Sequence, residues 1–482
     1  MCSEGRDKRH LRRLLVIAQR AGVASLMLVA AGCKGIPRAG ERQARQDLQT
    51  VGQVYRPQGQ KAALPLLSTN SGLSNFLAYA LLNKPRVEAA YFDWVASVQG
   101  ITVARSLPDP RLMFTTDIKE VVTALMPGLV QEFPGPGKLG ARAAIASARS
   151  ASGYFHFEEA VVQAAYDVKK AYYQLHFLED TIRITEEVLG LLADLERIAR
   201  AQNQVGKVTL QDVLRAQIEQ DRVGTDLSNL EDSRRPLLAQ LKAALGLKAD
   251  QPDPPIPASF EFTPMDLSSQ QLFAVALERN PRLRAMEAEV LMADAGLRLA
   301  RKSRVPDFSL GVEVDVKTPP YMVRPQAGMT LPIWRDKIAA EIAGAQARKR
   351  AAEARLSNEQ IMLAVDFADK TFSFRESTRN LELLRDRLIP KARKSLEVAR
   401  AGYLSGQIDF FNLIDAERTL LNFQLAEVEV RTQRELVLAE LSLLILGQPP
   451  AGAPVLPASN LPSTTNAPAG NPPATRAAKP SP

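Results

Sequence analysis

Cys33 is the residue whose setting most clearly invites chemistry. It closes an apolar run that starts at Ala21, and six basic residues precede that run: Arg6, Lys8, Arg9, Arg12, Arg13 and Arg20. A basic stretch, a short apolar run and small residues at its end spell a secretion signal, expected over residues 1–32. Ala31 and Gly32 before Cys33 match a lipobox, although Ala30 stands where Leu is usual. Cleavage there would leave Cys33 as an acylated N-terminus, and two or more acyl chains hold a protein stably to a membrane. An ordinary signal peptide with an incidental cysteine is the alternative. Lys34 is not the Asp that retains lipoproteins at the inner membrane, so the outer membrane is the implied destination.

Other reactive groups are sparse. The remaining cysteine, Cys2, cannot build a disulfide framework, and His10, His156 and His176 are too scattered to hold a metal. The chain has no GxSxG elbow, P-loop, HExxH pair or dinucleotide fingerprint. The adjacent carboxylates Glu158-Glu159 and Glu186-Glu187 fit solvated helix faces. The expectation is a protein that is not an enzyme and uses no cofactor and no metal site. The net charge of +8 is concentrated in the leader and the C-terminal tail. The nearly neutral body has no footprint for nucleic acid.

The elements follow from an internal repeat. Pro85 matches Pro281, Gly100 matches Gly296 and Pro110 matches Pro306, all 196 residues apart; Gly206 matches Gly406 at 200, and Gly246 matches Gly447 at 201. Each copy reads as a helix (Leu73–Arg105, Ser268–Arg304), a Pro-punctuated β stretch, a long helix from Lys138 or Lys337, a Gly turn, and a return helix. The 53 residues from Lys337 to Ile389 make a rod of about 80 Å, and Pro390 should kink it. Leu413, Ala416, Leu420, Phe423, Val430, Val437, Leu441 and Leu444 form a heptad seam that Glu427 and Arg434 interrupt.

Asp307–Val316 alternates, with Phe308, Leu310, Val312, Val314 and Val316 on one face and polar or small residues on the other. Ten residues suit a tilted membrane strand. Gln326–Leu331 alternates too, and Arg111–Ile118 with Gly128–Phe133 are weaker counterparts in which Leu112, Phe114, Leu129 and Phe133 face outward. Soluble hairpins capping a helical protein are the alternative. In lipid, four strands with open edges must close against other copies.

The order Gln204-Val205-Gly206, Asp212-Val213, Ala216-Gln217, then Ala401-Gly402-Tyr403-Leu404-Ser405-Gly406 and Leu413-Ile414-Asp415-Ala416, resembles the helical tips of the TolC-like outer-membrane efflux protein family. The run Gln131–Lys138 is similar to the strand-to-helix junction of its heavy-metal cation-efflux branch. The resemblance spans Leu73 to Gly447. It implies a mainly α fold with a membrane β-barrel portion: a duplicated long-helix and β-hairpin repeat forming a trimeric α-barrel and a 12-stranded β-barrel, four strands per chain. It implies a homotrimer, a periplasmic adaptor, an inner-membrane pump and contact with outer-membrane lipid. It places the periplasmic tip turns at Gly206 and Gly406 and a candidate gate at Tyr403, Asp212 and Asp415. Ile408 and Asn412 stand where the family's gate network has Arg and Asp, which puts an Asp–Arg latch in doubt. Tyr403 as a packing residue, and the aspartates as solvated or helix-capping groups, are the plainer assignments.

The expected organisation is a signal over 1–32, a lipidated extended segment over 33–69, repeats over 70–247 and 265–447, a Pro-rich linker over 248–264, and a disordered tail over 448–482. The expected function is a passive exit duct for small molecules or metal cations, in the outer membrane of a Gram-negative-type bacterium. The alternatives are a secretion duct for polypeptides and a non-conducting periplasmic scaffold.

Overall fold

Prolines set the joints of this chain. The computed structural model describes residues 39–118, 122–256, 260–261, 271–315, 322–457 and 460–462, so the leader and Cys33 lie outside the described residues. The expected single helix at the head of each copy is two. In the first copy these are α2 (Leu73–Asn83) and α3 (Pro85–Arg105), after an N-terminal helix α1 (Ala39–Tyr55). In the second copy they are α6 (Gln271–Arg279) and α7 (Pro281–Arg301). Proline disfavours helical geometry in the residue before it, and Lys84 and Asn280 are accordingly extended, at ψ 122° and 119°. Asn83 and Asn280 both turn this break to use. Their side-chain amides donate to Leu245 and Gly246 and to Leu444 and Ile445, the closing carbonyls of the return helices. The two backbones approach so closely there that a Cβ on Gly246 or Gly447 would strike Lys84 or Pro281.

The strands are β1 (Arg111–Ile118), β2 (Val122–Phe133), β3 (Phe308–Asp315) and β4 (Met322–Met329), antiparallel in the order β1-β2-β3-β4. Below them run α4 (Lys138–Gln204), α5 (Leu210–Ala244), α8 (Arg335–Leu383), α9 (Ile389–Leu404) and α10 (Phe410–Ala439). With 67 residues, α4 is about 100 Å long. The break expected at Pro390 is a π turn, Leu384–Leu388, which joins α8 to α9. A widened turn relieves the ring's clash with the carbonyl four residues back.

Hydrophobic clusters follow one another along this rod. One gathers Trp94, Tyr91, Tyr154 and Phe157 under α1, a second Phe76, Tyr172 and Leu241, and a third sits at the tips. The seam of α10, continued by a π turn over Glu440–Ile445, buries Leu413, Leu420, Val437 and Leu441, and leaves Ala416, Phe423, Val430 and Leu444 half-buried. It also buries Glu417, Thr432 and Glu435.

Three expectations are corrected. Segment 33–69 is not extended throughout, because α1 occupies Ala39–Tyr55. Arg105 and Thr102 donate to its Glu41, and its Tyr55 ring lies 4.9 Å from Tyr91. The tail begins as ordered chain. Leu456 is buried, and its N–H donates to the Tyr154 hydroxyl at 2.9 Å. Glu158 is no solvated residue but a buried one, whose carboxyl is pushed up to about 8 by burial, with Arg284 and Arg279 opposing the shift. Linker residues 248–256 contain neither helix nor strand, as their prolines require.

Candidate functional site: the two-faced sheet and the helical tips

Register divides the sheet into two faces. Leu112 pairs with Leu129, which pairs with Val312; Phe133 pairs with Phe308, which pairs with Met329. With Phe114, Leu125, Leu310 and Val323 these residues make one apolar face, exposed in the single chain; Leu112 is 64% and Phe114 66% exposed. The opposite face carries Arg111, Thr115, Glu132, Ser309, Glu313, Asp315, Arg324 and Gln326, with Met113, Met126, Val130 and Met322 set among them. Thr115 donates to Glu313 at 3.3 Å. Gly128, Gly311 and Gly328 lie on this crowded face, and a Cβ on each would meet Glu313, Val130 or Ser309 at under 3 Å. The outer edges of β1 and β4 pair with no strand among the described residues.

At the far end, Gly206 and Gly406 turn each long helix into its return. Their φ values of 74° and 76° lie in the left-handed region that glycine enters at least cost. The first tip is capped: Asp212 accepts from the Thr209 N–H and hydroxyl, and Thr209 caps the start of α5 in return. The second tip has Asp409 at the cap position without a side-chain bond. Ile408 packs onto Gly402, where a Cβ would come within 2.5 Å of Ile408 Cδ1.

Tyr403 is buried against Phe410, their rings 5.4 Å apart, and its hydroxyl has no hydrogen-bond partner among the described residues. Burial, with a smaller contribution from the charge of Asp212, pushes its hydroxyl pKa up. No hydrogen bond joins Asp212 of the first copy to Tyr403 of the second among the described residues. Asp415 stands apart, exposed in a groove with Lys391, Lys394, Ile408 and Asn412.

Sequence reading missed the contacts that join the two tip hairpins. Arg418 of α10 grips the buried Glu219 of α5 through two bonds, one of 3.0 Å from Nε. The guanidinium holds the Glu219 carboxyl below its usual range. Four residues earlier on α5, Arg215 lies over the Phe411 ring at 5.9 Å. At the local repeat offset of 200, Glu219 corresponds to Thr419, so the repeat did not point to Arg418 as its partner. Farther up the rod, Asp180 of α4 accepts from Arg431 of α10. No group of three or more His, Cys, Asp or Glu that could hold a metal occurs among the described residues. No helix there is long and apolar enough to cross a membrane.

A repeated helical hairpin carrying a two-faced sheet is the protomer architecture of α-barrel/β-barrel channels. The chain belongs to the outer membrane efflux protein family, whose model matches residues 77–247 and 272–447. Solved structures share the fold. The outer membrane protein VceC from Vibrio cholerae is 17% identical, with a TM-score of 0.65 over 78% of this chain and 96% of its own. A membrane protein from Pseudomonas aeruginosa is 18% identical, with a TM-score of 0.69 over 79% and 91%. The CmeC outer membrane channel of Campylobacter jejuni is 14% identical, with a TM-score of 0.68 over 83% and 92%. No curated protein matches the chain by sequence.

Proposed function

We propose that three copies of this chain form the outer-membrane exit duct of a tripartite efflux system. The observation that carries this reading is the sheet. One face is apolar and exposed, the other carries all the charged residues of the paired rows, and both edges are unpaired among the described residues. Open edges are intolerable in lipid, so the sheet must close against neighbouring copies. Three sheets of four strands make a 12-stranded barrel whose polar face lines water. The helices then extend into the periplasm, where the tips at Gly206 and Gly406 meet an adaptor and, through it, an inner-membrane pump. The duct is passive and performs no catalysis. Small molecules or metal cations are its cargo.

Cys33 acylation fits the path of the chain. Ala39 starts α1 beside the upper part of α4, where a Cβ on Gly40 would come within 2.7 Å of the Ser147 hydroxyl. Six residues, spanning at most about 20 Å, separate Cys33 from Ala39. The closure of the tips rests on contacts between the two copies, Glu219–Arg418 and Arg215–Phe411, with Tyr403 packed behind them.

The decisive measurement is conductance of the detergent-purified protein in a planar bilayer, with its mass by native mass spectrometry. A conducting trimer is the expected result. A monomer that needs no detergent and carries no current would establish a soluble scaffold instead.

A further inference from the structure

The apolar face of the sheet does not end where β4 ends. Phe133, Phe308 and Met329 form its last paired row. The chain continues the face with Leu331, Ile333 and Trp334, which are 65%, 65% and 71% exposed. Immediately beyond, the end of α7 and the start of α8 place Arg301, Lys302, Arg304, Arg335 and Lys337 at the surface. Two backbone-anchored bonds fix the segments side by side: Asp307 N–H to the Thr330 hydroxyl at 2.8 Å, and Thr330 N–H to the Asp307 carbonyl at 2.9 Å.

None of these five cations enters an ion pair among the described residues. The first copy differs. Its Arg105, Arg111 and Lys138 are engaged by Glu41, Glu132 and Asp307. Asp336 stands between Arg335 and Lys337, while the neighbouring acids Asp294 and Asp307 are engaged by Arg298 and Lys349 and by Lys138. Like charges on adjacent segments repel one another, and an anionic partner lowers that repulsion. An exposed Trp between a lipid-facing band and a row of Lys and Arg is the arrangement of a membrane–water boundary.

We infer that this second-copy collar binds anionic phospholipid headgroups at the periplasmic edge of the barrel, with Leu331, Ile333 and Trp334 in the acyl boundary. The inference rests on the barrel reading above. It makes the collar a lipid-selective surface that the first copy does not duplicate.

The chain has two tryptophans, and Trp94 is buried at 1% exposure, so Trp334 can be read alone. The full-length protein is reconstituted into vesicles of phosphatidylcholine with a minor share of phosphatidylglycerol, and one lipid at a time is brominated to quench nearby tryptophan. Brominated phosphatidylglycerol should quench Trp334 beyond its mole fraction, with a preference of roughly fivefold for each cation engaged at low salt. The preference should shrink as salt is raised. Trp334→Phe should abolish quenching. Replacing the five cations with Gln should leave quenching by neutral lipid and erase the preference. Equal quenching by both lipids would overturn headgroup recognition. Absence of quenching in protein that floats with the vesicles would mean that another copy covers Trp334, and would sink the collar alone. Protein that fails to float would sink the barrel reading and the collar together.

Discussion

Glu219 and Arg418 show how a single pair can carry information that neither residue holds alone. Glu219 is buried and Arg418 is half exposed, so the guanidinium reaches in from the solvent side to satisfy the acid. Glu219→Gln or Arg418→Gln should destabilise the tips by about 1–2 kcal/mol, less than a fully buried pair because of Arg418's exposure. Each single variant should raise open-channel current in a bilayer, and the exchanged pair Glu219→Arg with Arg418→Glu should restore the closed level. Current that stays at the wild-type level in both single variants would remove this pair from tip closure. Glu158 makes a second prediction at this scale. Its carboxyl is held protonated to about 8 against an ordinary 4.5. The folded state therefore retains a proton that the unfolded chain releases, and stability falls as pH rises between those values. Glu158→Gln should flatten that dependence, so that melting midpoints of the purified protein at pH 5 and pH 8 draw together. A variant as pH-sensitive as the wild type would place the titrating group elsewhere.

At the level of elements, alternation is what decides the fate of the strands. Leu310 lies on the apolar face and Gln326 on the polar one, paired strand to strand through Ala327 and Gly311. Arginine at a lipid-facing position near the bilayer centre costs about 2–4 kcal/mol, whereas a water-lined position tolerates it. Leu310→Arg should lower the heat-stable, membrane-extracted fraction sharply, while Gln326→Arg should leave it near wild type. Equal losses would mean that both faces are covered by protein. The β3 alternation was legible because Phe308, Leu310 and Val312 interleave with Ser309, Gly311 and Glu313. In β2 the pattern is broken by Thr123 and Pro127, so only its second half, Gly128–Phe133, was readable. The double helices at Pro85 and Pro281 needed only proline chemistry. The α1 helix was harder, because its apolar stripe is thin and its partner, the Tyr91–Phe157 cluster, lies some forty to a hundred residues away. The contacts between the two tips were least legible of all. The likeness pointed to Tyr403, Asp212 and Asp415, but long-range pairs such as Glu219–Arg418 are set by how two hairpins are juxtaposed.

The whole molecule is unequal between its halves, and that inequality argues for assembly. In the first copy, α4 buries aromatic and aliphatic side chains along its length, among them Tyr154, Phe157, Tyr172, Leu192 and Leu195. Over its 49 residues α8 buries only Ile338, Ala345, Ala352, Leu363, Phe374 and Ser377. Its Ile361, Val365 and Phe372 are 61%, 56% and 58% exposed, and their spacing puts them on one stripe. A rod about 70 Å long cannot leave such a stripe in water without a partner along its flank. The sheet above it has the same need at its open edges, so one set of neighbours can satisfy both. Burying a Val or Phe side chain contributes about 1.5–3 kcal/mol, and a closed ring of three copies repeats that gain at three interfaces. Val365→Glu and Phe372→Glu should therefore shift the purified protein from trimer to monomer in native mass spectrometry. The α4 cores lie within one chain and do not depend on the interface, so helical circular dichroism should remain. If the trimer persists with both glutamates present, the stripe faces the aqueous lumen, and the copies are held together by the sheet edges alone.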